Sequence, residues 1–150
     1  DEELIVNFLD ILENHKMLVE NSGLLTVAAL KHLDCKGKRV VSILSGGNMD
    51  IITLSSVVQH GLIARGRVFT VAVQLPDRPG ELVNVADIIA KEKGNVIRLE
   101  HNQFVSINRN AAVELRITLE AFGQEHKNEI LKALRDKGYD AKEETPTGMY

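Results

Sequence analysis

The chain has 150 residues, 44% of them hydrophobic and 26% charged, with a formal net charge of -3. That composition describes a globular chain with room for one ordinary domain or two small ones, and it gives no sign of a nucleic-acid or membrane partner. The single cysteine, Cys35, excludes an internal disulfide and fits a cytoplasmic location. No apolar run reaches the ~18 residues that a membrane span requires. The N-terminus has no signal-peptide pattern, and the chain begins with Asp1 rather than Met, so a piece processed, trimmed or excised from something longer is expected.

Near the start, Ile5, Phe8, Leu9, Ile11, Leu12 and Leu18 recur at helical spacing and predict a helix over residues 2–15. "SGLLTVAALKHL" predicts a second helix, with Ser22 as its cap and Leu24, Leu25, Val27, Ala28 and Leu30 on its buried side. "DCKGK" is a turn, and "RVVSILS" (39–45) is a nearly continuous apolar strand of the kind buried on both faces of a parallel sheet. "DIITLSSVVQHGLIARG" predicts a helix that exits at Gly61 and Gly66.

After Gly66 the pattern changes. "RVFTVAVQL" alternates as a strand, "PDRPG" turns, and Leu82, Val85, Ile88 and Ile89 share one face of a helix closed by Gly94. "NVIRLEHNQFV" and "AAVELRITLEA" are strands joined through "SINRN". A helix closed by Gly138 and a short strand, "YDAKEE", follow. This order, β-α-β-β-α-β, is the ferredoxin-like arrangement, an α+β fold with two helices on one face of a four-stranded antiparallel sheet. Three regions are expected: residues 1–60, a linker at 61–66, and the module at 67–145. One strand makes no sheet, so the first region reads as the last piece of a larger α/β domain.

"VENSG" (19–23), followed by "AALKHLDCKGKRVVSILSGGNMD", resembles the end of the catalytic domain of fold-type II pyridoxal-phosphate enzymes, specifically the threonine ammonia-lyases (threonine dehydratases) and their serine racemase relatives. "LPDRPGEL" (75–82), "GNV" (94–96) and "LEH" (99–101) resemble the ACT regulatory domain attached to many of these lyases. The resemblance implies that Ser45 meets the pyridine nitrogen of the cofactor, with Gly46 and Gly47 letting the backbone lie close to the ring, Asn48 completing the motif and Glu20 facing the pocket. A neutral hydroxyl at that nitrogen favours β-elimination over transamination. The family's Schiff-base lysine and glycine-rich phosphate loop have no counterpart here, so this piece by itself is expected neither to hold the cofactor usefully nor to turn over.

For the module, the resemblance implies an amino-acid effector, such as isoleucine or valine, at the loop before Glu81. Asp77 would meet its ammonium, with Arg78 beside it. The amides of Gly80, Glu81 and Leu82 would hold its carboxylate, and Asn95, Val96 and Ile97 of a second copy would close the site. A homodimer through residues 67–145 follows, with a tetramer as the expectation for the parent. The parent would convert L-threonine to 2-oxobutanoate and ammonia.

Plainer readings stand beside these. Ser45-Gly46-Gly47 also reads as a strand-to-helix turn with Asn48 as cap, Glu20 as a helix start, and "PDRPGEL" as a turn in a stand-alone dimerisation module without enzymatic role. His15, His32, His60, His101 and His126 are scattered and predict no metal site. Cys35 reads as a surface thiol.

Overall fold

Alternating apolar residues and helix-spaced stripes partition the chain into two compact units, Asp1–Ala64 and Arg65–Tyr150. The computed structural model describes residues 2–102 and 113–144. In the first unit, α1 (Glu2–His15), α2 (Asn21–Ala29), a short 3-10 turn (Leu30–His32) and α3 (Ile51–Ala64) follow one another. Their stripes close on a core of Phe8, Leu9, Val19, Leu24 and Val57. Burying each of the large side chains stabilises by roughly 1.5–3 kcal/mol.

Several expectations for this unit are corrected. Residues 38–50 are in neither helix nor strand. The apolar run at 39–45 has hydrophobicity but no ladder partner among the described residues of its unit, and Val41 and Ile43 are 88% and 76% exposed. Helix α2 starts one residue before Ser22, and the Ser22 hydroxyl bonds the Glu20 carboxylate at 2.6 Å instead of capping the helix. Leu25 is exposed, whereas Leu24 and Ala28 are buried. Gly61 does not end α3, which continues to Ala64. It is a buried contact point, where a Cβ would stand 2.5 Å from Leu9 Cδ1. The helix therefore occupies most of the segment expected to be a linker.

The second unit is built from β1 (Val68–Leu75), α4 (Glu81–Lys91), β2 (Asn95–Asn102), β3 (Val113–Glu120), α5 (Gln124–Asp136) and β4 (Asp140–Glu144). The sheet order is β2-β3-β1-β4 with every pair antiparallel, which is the ferredoxin-like topology. Period-two alternation sends Phe69, Val71, Val73 and Leu75, with Leu115, Ile117 and Leu119, toward Val85 and Ile89 of α4 and Ile130, Leu131 and Leu134 of α5. The opposite sheet face carries Thr70 and Thr118, whose buried hydroxyls bond at 3.0 Å, and Arg116, whose Nε reaches Glu114 at 2.9 Å and Glu144 at 3.3 Å. The expected "SINRN" hairpin loop lies outside the described residues.

The end of α4 is set by crowding. Lys93, not Gly94, takes the left-handed conformation, with φ 63°. Gly94 is there for space, since a Cβ would lie 2.9 Å from Ile89 Cγ2 and 3.0 Å from Ile130 Cδ1.

Candidate functional site

Two clusters gather the residues singled out by sequence. In the first unit the Glu20 amide donates to the Gly46 carbonyl at 3.1 Å. Gly46 has φ +80°, and a Cβ there would meet the Glu20 carboxyl carbon at 2.4 Å. Only glycine accepts both conditions at low cost. A Cβ on Gly23 would lie 1.8 Å from the Ser45 carbonyl oxygen, and the Thr26 hydroxyl donates to the Ile43 carbonyl at 3.3 Å. The motif thus rests on the start of α2 by backbone contacts that leave the Ser45 side chain at the surface. Gly47 packs closely too, with a Cβ position 3.2 Å from the Leu18 carbonyl.

Asn48 does not cap α3. Asp50 does: its Oδ1 accepts from the Ile52 and Thr53 amides, both at 3.0 Å, and its Oδ2 from the Thr53 hydroxyl at 2.5 Å. The Thr53 hydroxyl foremost, then the Thr53 amide, hold the Asp50 carboxyl below the usual range. Asn48 and Glu20 share a hollow of about 340 Å3 with Asn21, Ser22, Met49, Asp50 and Thr53. The structure therefore brings Glu20 to Gly46 and Asn48, with Ser45 outside the lining of that hollow.

In the second unit the "PDRPGEL" loop forms a hollow of about 340 Å3 at the C-terminal end of β1. Asp77, Arg78, Gly80, Glu81 and Leu82 line it together with Leu75, His101 and Val113. The loop is closed by an Arg78 amide bond to the Pro76 carbonyl at 2.8 Å, and Gly80 enters α4 with φ +96° and no side-chain cap. The Glu81 amide is partly committed, pointing to the Arg78 carbonyl at 3.4 Å. The Glu81 side chain is committed as well: its Oε2 accepts from the Tyr139 hydroxyl at 2.9 Å. Burial first, and then this carboxylate, push the Tyr139 hydroxyl pKa up.

Asn95, Val96 and Ile97 stand at the opposite end of β2 from His101, where Asn95 bonds Glu120 at 3.1 Å. They are not brought to the loop within one chain. Sequence reasoning missed His101 and Tyr139. The signal for His101 was its place in "LEH", two residues beyond the apolar Leu99; the signal for Tyr139 was an aromatic directly after the helix-closing Gly138. Among the described residues no group of three or more metal-ligating side chains exists, and no helix is long and apolar enough to cross a membrane.

No family model matches the chain. The L-threonine ammonia-lyase of Geobacter sulfurreducens is 38% identical over 142 residues, which are 93% of this chain and 35% of that protein. The enzyme of the same name from Thermotoga maritima is 33% identical over 143 residues, 95% of this chain and 36% of that protein. The chain belongs to the threonine ammonia-lyase family. It spans about a third of the length of these threonine ammonia-lyases. In both, the matched length takes in residues of both units of the structure. Among solved structures, the regulatory subunit of aspartate kinase from Thermus flavus is similar with a TM-score of 0.43 and 18% identity, over 53% of this chain and 52% of that one.

Proposed function

We propose that the chain is the C-terminal, regulatory part of a threonine ammonia-lyase that converts L-threonine to 2-oxobutanoate and ammonia in the cytoplasm. The observation that carries this reading is the 38% identity to a threonine ammonia-lyase across both units. Pyridoxal phosphate, when bound in the parent, supplies the electron sink for β-elimination. The residues here fit one edge of that group. The surface hydroxyl of Ser45 suits a ring nitrogen, and Gly46, lacking a Cβ, lets the backbone of the motif lie directly against the Glu20 carboxyl. Glu20, held against Gly46, and Asn48 border the same place. The rest of the cofactor site belongs to the parent. The exposed apolar side chains of Val41 and Ile43 suit a strand completed there by a sheet from outside these residues.

The second unit is an ACT-type sensor of a small amino acid. Its loop hollow pairs an anion, Asp77, and a cation, Arg78, with the apolar walls Leu75, Leu82 and Val113. That set complements an ammonium, a carboxylate and a branched aliphatic side chain, as in isoleucine or valine. Edge strand β2 leaves Val96, Ile97 and Leu99 half exposed, which suits a second copy. An antiparallel pairing of two β2 strands centred near Arg98 sets the partner's Asn95 opposite His101, so the partner's Asn95, Val96 and Ile97 would close the loop hollow.

Titration calorimetry of the chain with isoleucine, with valine and with no amino acid, wild type against Asp77→Ala, tests the sensing. Saturable heat in the wild type and its loss in the variant is the expected result. Absence of heat with either amino acid retires the sensor and leaves a dimerisation module. A monomeric mass by light scattering at tens of micromolar retires the dimer.

A further inference from the structure

His126 uses both ring nitrogens on backbone groups of different elements. Its Nδ1 faces the Phe122 amide at 3.0 Å, and its Nε2 faces the Glu92 carbonyl just past α4. A backbone amide can only donate and a carbonyl can only accept. The ring must therefore be neutral, with its proton on Nε2. The imidazole also stacks on Phe122, with centroids 4.8 Å apart and planes 16° from parallel. Phe122 is otherwise 80% exposed, and its amide is held by the histidine.

The neighbouring residue extends the connection. The Ala121 amide donates to the Arg67 carbonyl at 2.8 Å. Gly66 lies so close to Gln124 that a Cβ would stand 2.4 Å from Gln124 Oε1. The first residues of the second unit are thus fastened to the Ala121–Gln124 segment, and that segment is fastened to the end of α4 through His126.

We infer that His126 is a proton-operated latch, joining the end of α4 to the segment that anchors Arg67. A protonated imidazole keeps its bond to the Glu92 carbonyl. It presents a second N–H to the Phe122 amide, however, and two donors cannot share that position. The stack tolerates the positive charge, so Phe122 N–H release is the specific consequence. Lys91, Glu92 and Lys93 from the end of α4 and Glu129 from α5 line the hollow shared by His126 and Phe122. Glu125 adjoins His126 in the chain, and Arg65 and Arg67 flank the anchored glycine.

The test is NMR on the whole chain from about pH 8 to about pH 5, the span in which imidazoles titrate. Two readouts are recorded: the ring nitrogen shifts of His126, which report the tautomer, and the exchange protection of the Phe122 amide, corrected for its intrinsic pH dependence. The expected result is an Nε2–H ring at high pH, with Phe122 protection falling about tenfold or more as that ring gains its second proton. His126→Phe, which keeps the stack without the acceptor, should leave Phe122 unprotected throughout. An Nδ1–H ring at high pH overturns the latch, and so does Phe122 protection that ignores protonation of His126. Should His126→Phe not fold, the wild-type titration alone decides.

Discussion

Glu20 and Gly46 hold one another in place: the Glu20 amide bonds the Gly46 carbonyl at 3.1 Å, and the Glu20 carboxyl occupies the volume a Cβ on Gly46 would need. The obstacle at Gly46 is the mobile end of a side chain, so Gly46→Ala chiefly forces a left-handed alanine, at about 1–2 kcal/mol. At Gly23 the obstacle is the backbone oxygen of Ser45, at 1.8 Å, which cannot swing aside. Gly23→Ala should therefore cost more, above about 3 kcal/mol. Urea unfolding of the two variants followed by circular dichroism checks the order; equal losses would contradict it.

Gly61 offers the reverse of a familiar helix rule. Glycine to alanine inside a helix ordinarily stabilises by about 1 kcal/mol. Here the new methyl would press on Leu9, which is fully buried, and on Ile5 Cγ2 at 3.3 Å. Gly61→Ala should lower the melting temperature, and Gly61→Ala with Leu9→Ala should recover part of what the two single changes lose. A higher melting temperature for Gly61→Ala would refute the contact.

Thr70 and Thr118 form a buried cross-strand pair at 3.0 Å. Replacing one by valine leaves the other hydroxyl short of a partner, at about 1–3 kcal/mol. Replacing both removes the mismatch. A double-mutant cycle in chemical unfolding should show the double variant close to wild type. Additive losses would mean that the hydroxyls do not depend on each other.

Asp50 gives the first unit a pH dependence of known sign. Its folded pKa is lowered by the Thr53 hydroxyl and amide. The stabilisation is therefore present above the unfolded carboxylate value and is lost as pH falls through the lower folded one. Asp50→Asn retains the cap to the Ile52 and Thr53 amides and removes that dependence. The gap between the melting curves of wild type and Asp50→Asn should be full at neutral pH and narrow progressively as pH falls below the usual carboxylate range. A constant gap would show that another group is responsible.

The order of elements after Gly66 was legible because each element carries its own period and its own stop. β1 alternates, α4 repeats at 3.6, and turns bound both. Residues 39–45 were misread because hydrophobicity records an appetite for burial and says nothing of a neighbouring strand. Gly61 was misread because a glycine chosen for closeness to Leu9 is indistinguishable in sequence from one chosen for flexibility. At the loop hollow, Asp77 to Leu82 are contiguous in the chain and were found together. His101 reaches the same place only through the pairing of β2 with β3, and Tyr139 reaches Glu81 across 58 positions. Contacts of that span are set by how distant elements come together rather than by local pattern.

The register of β2 on β3 shifts between Val96 and Arg98, leaving Ile97 out of step on an edge that is apolar and half exposed. An even row of amides and carbonyls there would accept any passing extended chain and could grow copy upon copy into a fibre. The irregularity spoils that templating: a foreign strand loses alignment within a few residues, while a strand with its own matching kink can still fit. The bulge thus works as a safeguard for solubility at high concentration. Deleting Ile97 to restore an even ladder should yield a protein that precipitates on standing at concentrations where the native chain stays clear by turbidity.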